Sequence, residues 1–261
     1  MTLLLHEMRK NRLSLIIWTA AISFMLGVCV LIYPEMSAQM SDVSEMFADM
    51  GSFTEAFGMD KVNFGEFMGY FAVECGNVLG LGGALFAALT GVLSISSELR
   101  DGTAELLHSH PVSRKEVLTS KLFAVVAQVL VLNLVTVAVV LAGCVLVGVD
   151  YEIGNMLLVF VAFLLMQLEI AAVTFGISAF VKNGAAGIGI GVGFGFYFMN
   201  ILANLDDRLD FIRYLTPFSY ADGAAVVSSG TIELKYLAAG VVFAVAGMIS
   251  ANVKYAKKDL I

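Results

Sequence analysis

The sequence predicts an all-α, polytopic membrane protein of six transmembrane helices, and three observations predict it. Apolar residues make up 59% of the 261-residue chain, with a mean hydropathy of +0.88; an ordinary soluble domain is about 45–50% apolar. Six apolar runs reach the roughly 20 residues that a helix needs to cross the hydrocarbon core of a bilayer. None of them alternates apolar and polar residues over about 10 positions, as a membrane β-strand does.

The chain reads as a single transmembrane domain over 1–261. It opens with MTLLLHEMRKNR (1–12), too short and too charged to cross a membrane. Leu3, Leu4, Leu5 and Met8 share one helical face while Glu7, Arg9 and Lys10 face water, which predicts an interfacial helix. The six spans come next, at Leu13–Tyr33, Met68–Ile95, Leu122–Val149, Asn155–Val181, Ala185–Ala203 and Leu234–Val253. The first is longer than the apolar stretch of a signal peptide and lacks a small-residue cleavage site, so it reads as a retained span.

Between spans one and two the chain is acidic, with Glu35, Asp42, Glu45, Asp49, Glu55, Asp60 and Glu66 against Lys61 alone. Met36, Met40, Met46, Phe47, Met50, Phe53, Phe57 and Met59 recur there at spacings near three to four. That pattern predicts a short amphipathic helix on the outer membrane surface. Residues 205–233 form a second outer segment. Thr216-Pro217 breaks its first half, and Ala221–Val227 is apolar but too short to span. A re-entrant hairpin fits, provided that protein or water satisfies its backbone.

Charge sets the orientation. Arg9, Lys10, Arg12, Arg100, Arg114, Lys115, Lys121, Lys182, Lys254, Lys257 and Lys258 fall on one side of the predicted topology. Lys61, Arg208, Arg213 and Lys235 fall on the other. The Lys and Arg bias places both termini in the cytoplasm. The net charge of −7 argues against a nucleic-acid partner.

Charged residues are scarce, at 14%, yet they cluster in the cytoplasmic loop 97–121, SELRDGTAELLHSHPVSRKEVLTSK. Such a patch must lie in water beside the membrane, and it reads as a docking surface. His108 and His110 within it are a weak metal pair, with no Cys or carboxylate at ligand spacing. Cys29, Cys75 and Cys144 lie inside apolar runs and read as small buried residues. With no histidine in any span, a membrane-embedded Ser–His pair is excluded. No hydrolase signature occurs, and no GxxxxGK[ST] loop for binding ATP. No metal or cofactor is expected on this chain.

Within the spans, Gly187, Gly191 and Gly195 stand four apart on one face of span five, spaced for close helix approach, either within the chain or at a dimer seam. Gly76, Gly80 and Gly83 repeat the theme on span two. Glu74 and Glu169 are charges inside spans two and four. Each requires a partner or water, because a charge at the bilayer centre costs about 2.5–3.5 kcal/mol on insertion scales. Glu169, beside Gln167, is the stronger candidate: it lines a substrate pathway, with Glu74 and Asn133, or is buried and neutral, hydrogen-bonded to a neighbour such as Gln128 or Asn133 on span three. Glu74, near the outer end of its span, reads equally as a snorkelling carboxylate.

The whole chain resembles the membrane subunit of a bacterial ABC-2 type exporter. Glu98, Arg100, Asp101, Gly102, Thr103 and Leu106, then Pro111, Val112, Ser113, Arg114 and Lys121, match the family's pattern in the first cytoplasmic loop. Tyr214-Leu215-Thr216-Pro217-Phe218 resembles its outer re-entrant region. The resemblance implies a coupling helix, with Glu98, Arg100, Asp101, Gly102, Thr103, Glu105, Leu106, Pro111 and Arg114 docking on a separate ATPase subunit that carries the ATP and Mg. It implies a second permease subunit, identical or similar, with spans two and five lining the path at the dimer axis of a bacterial cell membrane. The cargo expected is a lipophilic compound, drug or peptide. The residues leave two other readings open: an ATP-independent secondary transporter using Glu169, and a non-transporting membrane partner of an ATPase.

Overall fold

The structure, a computed structural model, describes residues 2–37, 51–63, 65–101 and 113–256. Among them the only regular structure is helical, and six helices are long and apolar enough to cross a membrane. An N-terminal helix α1 (Thr2–Lys10) leads into span one, α2 (Arg12–Ser37). A short α3 (Ser52–Ala56) and a 3₁₀ turn (Met59–Lys61) precede span two. Span two is one continuous rod of α4 (Phe67–Cys75), a π-helical stretch (Gly76–Leu81) and α5 (Gly82–Asp101). Spans three, four and five are α6 (Arg114–Val147), α7 (Ile153–Ser178) and α8 (Ala185–Leu205). Two 3₁₀ turns (Asp207–Tyr214 and Pro217–Ser219) and α9 (Gly223–Ser229) lead to span six, α10 (Leu234–Ala256).

Span three starts two turns earlier than its apolar run. Ser113 explains this: its Oγ accepts from the Glu116 amide at 3.2 Å, and its own amide donates to Glu116 Oε2 at 2.9 Å. This capping box starts the helix in the polar loop, before the chain becomes greasy. Gly148, in a left-handed conformation (φ 69°), ends the helix where a residue with a Cβ would be strained.

Spans two and four form the centre. Their most apolar windows are 72% and 61% buried, against 17% for each of spans five and six. Small residues permit the central contact. A Cβ on Gly80 would press on the Phe163 ring at 3.0 Å, and one on Gly91 would meet the Ala171 carbonyl at 2.5 Å. Span six crosses span four at a second glycine pair, since a Cβ on Gly176 would lie 2.6 Å from the Gly247 carbonyl. Spans one and three pair through Ser23 and Thr136, whose hydroxyls are 3.1 Å apart.

The described segments between spans one and two and between spans five and six fold against the bundle. Thr216 Oγ1 donates to the Phe196 carbonyl of span five at 2.8 Å, and Arg213 Nη2 donates to the Ala203 carbonyl at 3.0 Å. Asp222 caps α9 through the Ala225 amide and pairs with Lys61 at 2.8 Å. Residues 217–221, together with Ala224 and Val226, are buried. The expected surface helix of the first outer loop lies largely outside the described residues, at 38–50. The part that is described does not rest on a surface: Thr54 and Ala56 are buried, and the Ala56 carbonyl accepts from Asn204 Nδ2.

Candidate functional site

At the ends of spans two and three that flank residues 102–112, one lysine organises three helices. Lys121 is 1% exposed; its Nζ lies 2.7 Å from Glu7 Oε1 and 2.5 Å from Glu98 Oε1, and it donates to the Ser94 carbonyl at 3.1 Å. Glu7 comes from α1, Glu98 from the end of span two and Lys121 from span three. Lys10 Nζ adds a bond to Ser97 Oγ at 3.1 Å. Two carboxylates sharing one ammonium away from water hold only while all three stay together.

This arrangement corrects two expectations. Glu7 does not face water; it is buried, and Leu5 of the supposed apolar face is exposed instead. Desolvating a carboxylate is feasible here because Lys121 meets it. Glu98, expected on the docking surface, is 4% exposed and turned into the chain. Of the other docking candidates, Arg100 and Arg114 are exposed. Gly102, Thr103, Glu105, Leu106 and Pro111 lie outside the described residues, as do His108, His110 and the Asp101 side chain. The triad thus joins the end of span two to span three within about two turns of its start at Arg114.

Deeper in the bundle, Asn133 Nδ2 of span three donates to Gln167 Oε1 of span four at 2.7 Å, and Gln167 in turn fills the space left by Gly83. Glu169, 7% exposed, has a different partner from those expected. Gln128 bonds its own helix at the Ala124 carbonyl and Asn133 takes Gln167, so neither reaches Glu169. Tyr220, from the segment between spans five and six, donates its hydroxyl to Glu169 Oε2 at 2.7 Å. Burial first, and then the adjacent carboxylate, hold the Tyr220 phenol above its ordinary range, so it stays the donor. Gly240 of span six lies against the same carboxylate, where any Cβ would collide with it.

Glu74 stands apart from both, half-buried between spans one and two, with the Cys29 thiol 3.8 Å from its Oε2. The three expected pathway residues therefore occupy three separate neighbourhoods. Hydropathy marked Glu169 and Asn133 as unusual, but sequence held no signal that Tyr220 would reach Glu169 from 51 positions away.

The glycines of span five divide by face. Gly189 and Gly193 abut span two, a Cβ on either lying within 3 Å of Val92 or Leu85 side-chain atoms. Gly187, Gly191 and Gly195 have nothing within 4 Å of an added Cβ. The four-residue stripe does not pack within the chain and looks outward. Tyr197 on span five reaches Asn77 in the π-helical stretch of span two at 3.3 Å, so spans two and five are direct neighbours.

Among the described residues no group of His, Cys, Asp and Glu is placed to hold a metal ion. Compared with known proteins, the chain matches the model of a family described as ABC-2 family transporter protein over residues 1–260. No curated protein matches it.

Proposed function

Since the chain belongs to the ABC-2 transporter family, and is thus a multi-pass membrane permease of an ABC-type transporter that partners with an ABC ATPase, we propose that it is the permease subunit of an ATP-driven exporter. A separate ATPase hydrolyses ATP, and this chain moves a lipophilic compound, drug or peptide out of the cell. The observation that carries the reading is the Glu7–Lys121–Glu98 triad. It bonds Lys121 of span three to Glu7 of α1 at 2.7 Å and to Glu98 at the end of span two at 2.5 Å. A push on the loop is then delivered to spans two and three together rather than dissipated in a slack hinge.

Two copies form the transporter in this reading. The outward face of Gly187, Gly191 and Gly195 supports close approach of a second span five, and spans two and five then flank the axis. Both termini lie in the cytoplasm, in line with the Lys and Arg bias.

The test is co-purification with the partner ATPase and ATP-driven transport in vesicles. The double variant Asp101→Lys, Arg114→Glu is expected to lose the ATPase while inserting normally. An unchanged complex and unchanged ATP-driven transport in that variant would reject the docking role of the loop. Transport that persists without ATP and collapses with an uncoupler would favour the secondary-transporter reading, which the buried Glu169 supports.

A further inference from the structure

Glu169 borders a groove that neither the docking loop nor the span-five face explains. Spans three, four and six enclose it, with Tyr220 closing one end. Its volume is about 270 Å³. Val126, Leu165, Leu168, Leu237, Val241 and Met248 make its walls hydrocarbon, and Glu169 is the one carboxylate in the lining. Val241 is 53% exposed, so the mouth opens sideways on the perimeter of the bundle.

The carboxylate is only half satisfied. Oε2 accepts from Tyr220, whereas Oε1 takes no hydrogen bond from the described residues. No Lys or Arg pairs with Glu169 among them either. A charge within a span requires a counter-charge or water, and this groove is too apolar to hold water well. The chain treats its other buried carboxylates differently: Glu7 and Glu98 both have Lys121. Gly240 keeps the carboxylate side of the groove free of a competing side chain.

We propose that this lateral groove binds a lipophilic monocation taken from the bilayer, with Glu169 as its counter-charge and the aliphatic walls seating its apolar body. The inference deepens the exporter reading by assigning a substrate class, and rests on that reading only for the transport steps after binding. An organic anion meets the carboxylate and no basic group. A neutral lipid chain fits the walls but leaves Oε1 unanswered. Tyr220 orients the carboxylate, acting as a positioning residue.

The experiment is equilibrium binding of tetraphenylphosphonium to the purified full chain in detergent, without ATPase, beside the equally shaped anion tetraphenylborate. Saturable binding of the cation, weak binding of the anion, and at least a tenfold loss of cation affinity in Glu169→Gln are expected. The glutamine keeps an oxygen for Tyr220, so the fold is retained while the charge goes. Val241→Trp, which fills the mouth and leaves the charge, is expected to weaken the cation as well. Equal binding of the two ions, or unchanged cation affinity in Glu169→Gln, overturns the proposal and leaves the groove a seat for lipid. ATP-driven export measured separately tells the two readings apart. Cation binding without ATP-driven export sinks the exporter reading and keeps the site; export without cation binding does the reverse.

Discussion

Lys121 shows how much a single residue can carry in this chain. Its ammonium is the shared partner of two buried carboxylates, so Lys121→Met leaves Glu7 and Glu98 desolvated without a cation. Breaking a buried ion pair from one side costs about 3–5 kcal/mol. Thermal unfolding in detergent is expected to show a large drop for this variant. The triple variant Glu7→Gln, Glu98→Gln, Lys121→Met is expected to recover most of the loss, since no unpaired charge remains. A triple variant as unstable as the single one would place the cost in packing rather than charge. The sequence marked Glu98 and Lys121 as parts of a charged loop but held no means of pairing them with Glu7, 114 positions away from Lys121. That residues 2–10 form a helix was legible; which of its faces turned inward was not, because a carboxylate is buried only where a specific partner awaits it.

At the scale of the helix, glycine spacing alone does not say which surface is packed. Gly187, Gly191 and Gly195 have the regular four-residue period, yet the tight contacts within the chain are made by Gly189 and Gly193 on the adjacent face. Another close crossing, Gly176 against Gly247, has no such repeat. A Cβ at Gly247 meets the Ala172 carbonyl at 2.6 Å, a backbone atom that cannot rotate away. Gly247→Leu is therefore expected to destabilise the chain by at least the roughly 1–3 kcal/mol typical of overpacking. Gly191→Leu, with open space at its Cβ, is expected to leave the unfolding temperature of the monomer unchanged and to weaken self-association. Thermal scans paired with size-exclusion chromatography separate the two effects. Equal losses of stability in both variants would contradict the division of the faces.

For the whole molecule, the proposed dimer turns on which faces the bundle leaves uncovered. Spans two and four fill the centre, while spans five and six keep most of their surface outside the bundle. Lipid alone can cover such faces, but a glycine-lined one loses little by meeting another helix. Gly191→Cys, placed in a Cys29→Ser background because Cys29 is only half-buried where Cys75 and Cys144 are buried, is expected to cross-link two copies in oxidised membranes, with the Cys29→Ser chain alone staying monomeric on non-reducing gels. Failure to cross-link at Gly187→Cys, Gly191→Cys and Gly195→Cys alike would remove span five from the dimer axis.

The membrane class, the six spans to within a few residues at most ends, and the family were legible in the residues alone. Each of these depends on local composition: a run of about 20 apolar residues enters lipid whatever its neighbours do. Span three exceeded its apolar run because a capping box, itself a local signal, starts the helix in the polar loop. Three pairings came from packing: Glu169 with Tyr220 and Gly240, Asn133 with Gln167, and Lys121 with Glu7 and Glu98. Those pairings depend on the rotation of each helix about its axis and on how closely two backbones approach. Both are settled by packing between residues far apart in the chain, which hydropathy does not encode.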